Sequence, residues 1–294
     1  MGDDTHKATG SSWPEYELDG WLNFVSVLEN TGGAFWHGSL WSFRGQADAS
    51  WALEPTLLRR LGVNGVCKAE FAHALERTML REFVTKFPVY SDMPSVEFAR
   101  FNVLRWMTLM QHYGCPTRLL DWSDSPYVAA FFACDGAPSE DGVIYCICDH
   151  AYVPLVEKKH GAFKNRSEED LLWSDDTPCV YHMITHFQNP RCLSQRGTFS
   201  FCTDIFQSHD ALMASEFSEV EKGPQLHTKL IIPSRLKADF LARLAAIGIS
   251  SETLFPGIEG LCRALGTAID IRASAEMQKV DTGEFDVGGR TKIL

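Results

Sequence analysis

The amino-acid sequence predicts a single α+β domain. Strand-like alternation and helix-like periodicity follow one another along the chain, and no internal repeat or low-complexity linker divides it. Of the 294 residues, 45% are hydrophobic and 12% aromatic, a make-up able to fill one large core.

Residues 1–17 are polar and are expected to form a mobile N-terminal segment. Trp21, Leu22, Val25 and Leu28 give residues 18–28 a weak helical period, which Thr31, Gly32 and Gly33 break. SLWSF, Ser39 to Phe43, alternates into Arg44 and stops at Gly45, the pattern of a short strand entering a turn. From Lys68 onward, Phe71, Leu75, Met79, Phe83 and Phe87 recur at every fourth position, predicting an amphipathic helix whose stripe is core and which Pro88 closes. A second helix is expected over residues 96–111. Phe98, Phe101, Leu104, Trp106, Met107 and Met110 spread so widely around it that it should be largely buried.

Pro126 opens a third helix behind Ser125 as N-cap, and Val128, Ala129, Phe131, Phe132 and Ala133 make it internal. GVIYCICD, bounded by Gly142 and Asp149, reads as a central strand buried on both sides. Residues 157–190 are charged with little periodicity, an exposed excursion with short helices. RGTFSFCTD and HTKLIIP follow as strands, then helices over 235–247 and 257–268, and a polar, Gly-rich tail. The domain is therefore drawn over 18–272, with 273–294 as the tail.

Lys and Arg total 27 against 38 Asp and Glu, a net charge of −11, so the surface as a whole repels nucleic acid and anionic lipid unless basic residues cluster locally. No stretch approaches the roughly 18 apolar residues of a membrane span. MGDDTHKATGSSWPE also lacks the basic-then-apolar order of a signal peptide, so a cytoplasmic protein with no membrane partner is expected. The nine cysteines are odd in number and sit singly in apolar runs, as reduced core residues do. Cys146 and Cys148 share a strand face with no second pair beside them, and no metal site is expected.

The densest polar stretch is QHYGCPTRLLDWSDSPYVAAFFA, which sets Gln111, His112, Thr117, Arg118, Asp121, Trp122 and Ser123 between two buried helices. As a cluster they suggest a pocket, while Arg118 paired with Asp121 to lock a loop is the structural alternative. Arg44, at a strand end, can aim its planar fork at a phosphate or carboxylate, or serve in an ion pair. Cys115 follows His112 by three residues but has no helix N-terminus to lower its pKa. G-x-S-x-G, the P-loop and G-x-G-x-x-G are absent, which leaves phosphate to side chains and a helix terminus.

SFRGQADASWALEPTLLRR, LMQHYGCPTRLLDWSDSPYVAAFFA, SQRGTFSF and KLIIPSRLKADFLARLAAIGISSETLFPGIEGL resemble the FRG domain, which takes its name from the Phe-Arg-Gly seen here at 43–45. The resemblance covers about residues 18 to 269. A more distant one is to ADP-ribosyltransferases of the Arg-Ser-Glu type. These present an aromatic-Arg-Gly on a first strand, a Ser/Thr strand running into an A-x-x-F-A helix, and a strand opening with Glu-x-Glu or Gln-x-Glu. WSFRG, TRLLDWSDSPYVAAFFA and SQRGTFSF are similar to these in order and spacing.

That resemblance implies an ADP-ribosyltransferase-like fold with a mostly antiparallel split sheet and flanking helices, NAD as substrate, and Arg44, Asp121 and Gln195 converging on one cleft. Under it Arg44 grips the pyrophosphate, Gly45 lets the ligand approach the backbone, and Trp122 and Ser123 flank the nicotinamide. Gln46, His112, Thr117 and Arg118 complete the cofactor pocket. Gln195 and Gly197 stand where the resemblance asks for Glu, so Asp121 becomes the first candidate for the carboxylate that opposes a cationic sugar. The acceptor would be a macromolecule, protein or nucleic acid, in a cytoplasmic toxin or antiviral effector with a neutralising partner. A nucleotide-binding or sensing module without turnover, and an enzyme acting on nucleic acid, are the alternatives.

Overall fold

The computed structural model describes residues 13–30, 41–93, 95–173, 177–183, 190–218 and 226–282. Among them, seven strands form one sheet: β1 (Glu15–Glu17), β2 (Trp41–Gln46), β3 (Leu119–Ser123), β4 (Gly142–Cys148), β5 (Val180–Met183), β6 (Gly197–Cys202) and β7 (His227–Ile232). Their order is β1-β7-β4-β2-β3-β6-β5, antiparallel throughout except for the parallel pair β1 and β7. Where a split sheet was expected, the sheet is single and carries a seam, at which β2 and β3 share the single register pair Phe43 and Ser123 while β2 pairs with β4 along its whole length. No helix among the described residues is long and apolar enough to cross a membrane.

β4 is central because its continuous apolar run has core on both faces. On one face, Phe43 and Ile144 pack with Phe24, Phe131 and Phe240 from the helices Trp21–Asn30, Pro126–Cys134 and Lys237–Ala246. The helix Pro126–Cys134 starts as its sequence requires, with Ser125 Oγ accepting from the Val128 amide at 3.4 Å. It lies so close to β2 that a Cβ on Gly45 would stand 1.9 Å from the Ala129 carbonyl oxygen and 2.6 Å from the Ala133 nitrogen. Tyr145, Trp122, Tyr152 and Phe217 belong to the second large core cluster.

Several expectations are corrected. Glu15–Glu17, assigned from composition to a polar N-terminal segment, form β1 beside β7, and Trp13 is buried. The 68–88 helix runs Ala69–Tyr90 with Pro88 inside it, and Phe71 and Leu75 are exposed while Ala72, Glu76 and Phe87 are buried. A four-residue step advances the helix by about 40° beyond a full turn, so a strict every-fourth-residue stripe winds off the buried face. The 96–111 helix is two, Ser95–Phe98 and Val103–His112, because Asn102 caps the second by accepting from the Arg105 amide at 3.0 Å. The 157–190 excursion contains buried Leu171 and Leu172 and edge strand β5. The last helix extends to Thr282, with Ile258, Leu261 and Leu265 exposed. Cys67 and Cys262 are exposed, unlike buried Cys134, Cys146, Cys179 and Cys202.

Candidate functional site

Arg44 lies at the seam. Its Nη1 donates to the Asp121 carbonyl oxygen at 2.6 Å, across the gap where β2 and β3 diverge. The Asp121 carboxylate accepts from Gln111 Nε2 at 2.8 Å, and the Thr117 hydroxyl donates to Gln111 Oε1. Four sequence-nominated residues thus form one hydrogen-bonded set. Burial pulls the Arg44 pKa below its ordinary value, with Asp121 opposing that shift, and its Nε has no hydrogen-bond partner among the described residues.

Arg118 does not pair with Asp121. It is buried and forms a two-pronged ion pair with buried Glu76, through Nε to Oε1 at 2.8 Å and Nη2 to Oε2, while Nη1 donates to the Thr203 carbonyl at 3.2 Å. Asp121 is exposed. Gly45 does not open the backbone to a ligand, since the space a side chain would take is filled by the helix Pro126–Cys134. Gln46 is buried and donates to the Ala52 carbonyl at 3.3 Å. Trp122 is buried, its Nε1 donating to Ser200 Oγ at 2.8 Å. His112 lies beside Arg191 and Glu259; burial and Arg191 lower its pKa. Burial raises the Cys115 thiol, opposite to what a nucleophile needs.

Gln195 ends the short helix Pro190–Gln195 instead of opening a strand, and its Nε2 donates to the Leu254 carbonyl at 3.2 Å. Its own carbonyl accepts from Ser123 Oγ at 2.8 Å. Arg196, in left-handed backbone at φ 50°, then turns the chain into β6 and pairs with Asp124.

A cleft of about 1060 Å³ lies beside this set and contains none of the nominated residues. Ser42, Asp149, His182 and Thr198 line it and form a continuous chain. Ser42 Oγ donates to Asp149 Oδ2 at 2.6 Å, Asp149 Oδ1 meets His182 Nδ1 at 2.5 Å, and His182 Nε2 stands 3.1 Å from Thr198 Oγ1. The His182 ring lies 5.7 Å from that of Trp122. Sequence reasoning missed this chain because VYHM fell inside the charged excursion. The available signal was its alternation, together with Asp149 at the point where a buried strand enters the helix Asp149–His160. Among the described residues no group of three or more His, Cys, Asp or Glu is placed to hold a metal ion.

Comparison with curated proteins and with solved structures returned no significant match in either case. Residues 39–142, which hold Arg44, the Gln111–Thr117–Asp121 set and the helix Pro126–Cys134 and end on the first residue of β4, match the FRG domain.

Proposed function

We propose that this FRG-domain protein binds NAD where β2, β3 and β6 meet and transfers its ADP-ribosyl group to an acceptor. The observation that carries the reading is a register row: Phe43 pairs with Ser123, and Ser123 with Gly197. Three segments that resemble the transferase motifs, far apart in sequence, therefore stand abreast on adjacent strands. Arg44 follows Phe43, one residue beyond that row, and its planar fork suits a pyrophosphate. The adjoining cleft has room for a dinucleotide. Asp121, exposed beside Arg44, supplies the carboxylate that Gln195 lacks.

In this reading the acceptor is a protein or nucleic acid, and the setting is the cytoplasm, where consumption of NAD would serve a toxin or antiviral effector restrained by a neutralising partner. The second reading, binding without turnover, is favoured by one feature. Ser123 and the Gln195 amide both hydrogen-bond within the protein, leaving the second and third motifs without a committed reactive group.

Thermal stabilisation by NAD and release of nicotinamide, measured on the parent and on Arg44→Lys, test the proposal. NAD should raise the melting temperature of the parent and not of the variant, because lysine keeps the charge and loses the fork. Equal NAD affinity in the two would refute it, and binding without nicotinamide release would select the second reading.

A further inference from the structure

We infer that His182, positioned by Asp149, is the general base of this site and that the acceptor it serves is a hydroxyl group or water. The inference rests on the NAD reading above and adds the chemistry of the acceptor. Its basis is the chain of contacts in the cleft. The Asp149 carboxylate can only accept, so at 2.5 Å it places the imidazole proton on Nδ1. In the neutral ring Nε2 then carries the lone pair, and the Thr198 hydroxyl, 3.1 Å away, donates to it. Ser42 fixes the other carboxylate oxygen, so the base is oriented from behind by a group that is itself oriented.

Thr198 follows Gly197, the β6 end of the register row, and lies across from Trp122, so the lone pair of Nε2 is directed to the edge of the proposed NAD site. An acceptor O–H that displaces the Thr198 hydroxyl from Nε2 passes its proton to the freed lone pair as its oxygen bonds to ribose C1′. The C1′–nitrogen bond to nicotinamide breaks, and its electron pair leaves with nicotinamide. Asp149 then stabilises the imidazolium. A guanidinium or ammonium acceptor gains nothing from this arrangement, since the base becomes cationic as it works.

The products formed from NAD identify the acceptor class, with water, methanol and agmatine as probes. The parent should yield ADP-ribose in water, O-methyl-ADP-ribose with methanol, and no agmatine adduct. His182→Ala should bind NAD as the parent does and lose on the order of 100-fold or more of nicotinamide release, with partial recovery in added imidazole. His182→Asn keeps a donor to Asp149 without a base, so it should be equally slow even if the alanine variant folds poorly. Asp149→Asn should lower kcat while leaving KM for NAD unchanged, a split that a purely structural role would not produce. Nicotinamide release at the parent rate in a folded His182 variant, or transfer to agmatine, would overturn the inference and leave the NAD reading standing. A parent that binds NAD without cleaving it would overturn the inference together with the transfer it serves and leave only NAD binding, and one that does not bind NAD would remove all of these.

Discussion

Replacing Glu76 by alanine should destabilise the protein by about 3–5 kcal/mol, the usual cost of leaving one member of a buried ion pair without its partner. The structure places this pair at the upper end of such effects. Both side chains are 2% exposed, and the carboxylate accepts from Arg118 Nε, Arg118 Nη2 and Trp173 Nε1, the last at 2.9 Å. Without it the guanidinium retains, among the described residues, two contacts through Nη1, to the Cys202 carbonyl at 3.4 Å and the Thr203 carbonyl at 3.2 Å. The melting temperature should fall by on the order of 10 °C, and urea unfolding should show a lower midpoint with an unchanged slope. Glu76→Leu combined with Arg118→Met removes both charges and should recover most of the loss. A loss under about 1 kcal/mol in Glu76→Ala, or a double variant no more stable than the single one, would show that Arg118 is not held as a buried structural cation.

Gly45→Ala should abolish soluble folded protein, because its Cβ meets backbone atoms of the helix Pro126–Cys134 that have no freedom to retreat; a variant with the parent melting curve would refute this. His209 is held near pKa 3, chiefly by burial, with its Nδ1 2.9 Å from Ser200 Oγ. A histidine depressed in the folded state contributes its full stability above the unfolded value, roughly pH 6.5, and loses it as pH falls toward 3, at up to about 1.4 kcal/mol per pH unit. His209→Gln should therefore flatten the fall in stability between about pH 6.5 and 5 relative to the parent; equal slopes in urea titrations would exclude that role. Asp121→Asn should change stability by less than about 1 kcal/mol, since the residue is exposed and an amide oxygen can still accept from Gln111. It should retain NAD affinity and lose nicotinamide release, and turnover at the parent rate would remove the catalytic assignment.

Local rules made the central elements legible in the sequence. β4 was readable because six consecutive buried positions from Gly142, followed by half-buried Cys148 before Asp149, leave no other length of structure that fits. The helix Pro126–Cys134 was readable from Ser125 and Pro126, whose capping and φ preferences act within one turn. The helix Ala69–Tyr90 was readable in extent but not in orientation. Its buried face is set by Arg118, a partner 42 positions away in the chain that draws Glu76 inward, and the aromatic stripe turns partly to solvent as a result. β5 was lost for a related reason, since an edge strand of four residues has too few positions to establish a period against its charged surroundings.

The candidate site divides along the same line between local and long-range information. Gln111, Thr117 and Asp121 could be nominated together because they lie within eleven residues and their polarity between two buried helices asks for an explanation that a core segment does not give, while Arg44, which joins them, was nominated from its place at a strand end. Ser42, Asp149, His182 and Thr198 sit on four separate elements, and each alone is an unremarkable polar residue beside an apolar run. Only the sheet order, which brings β2 next to β3 and β3 next to β6 while β5 closes the edge, makes them one chain. The two sets nevertheless share strands: Ser42 is two residues from Arg44 on β2, and Thr198 is opposite Trp122, the neighbour of Asp121 on β3. A ligand gripped by Arg44 and a base supplied by His182 would thus be placed relative to one another by backbone register. Such a placement survives substitution at any single side chain, so Arg44→Lys should lower NAD affinity without altering which acceptors are used by the molecules that still react.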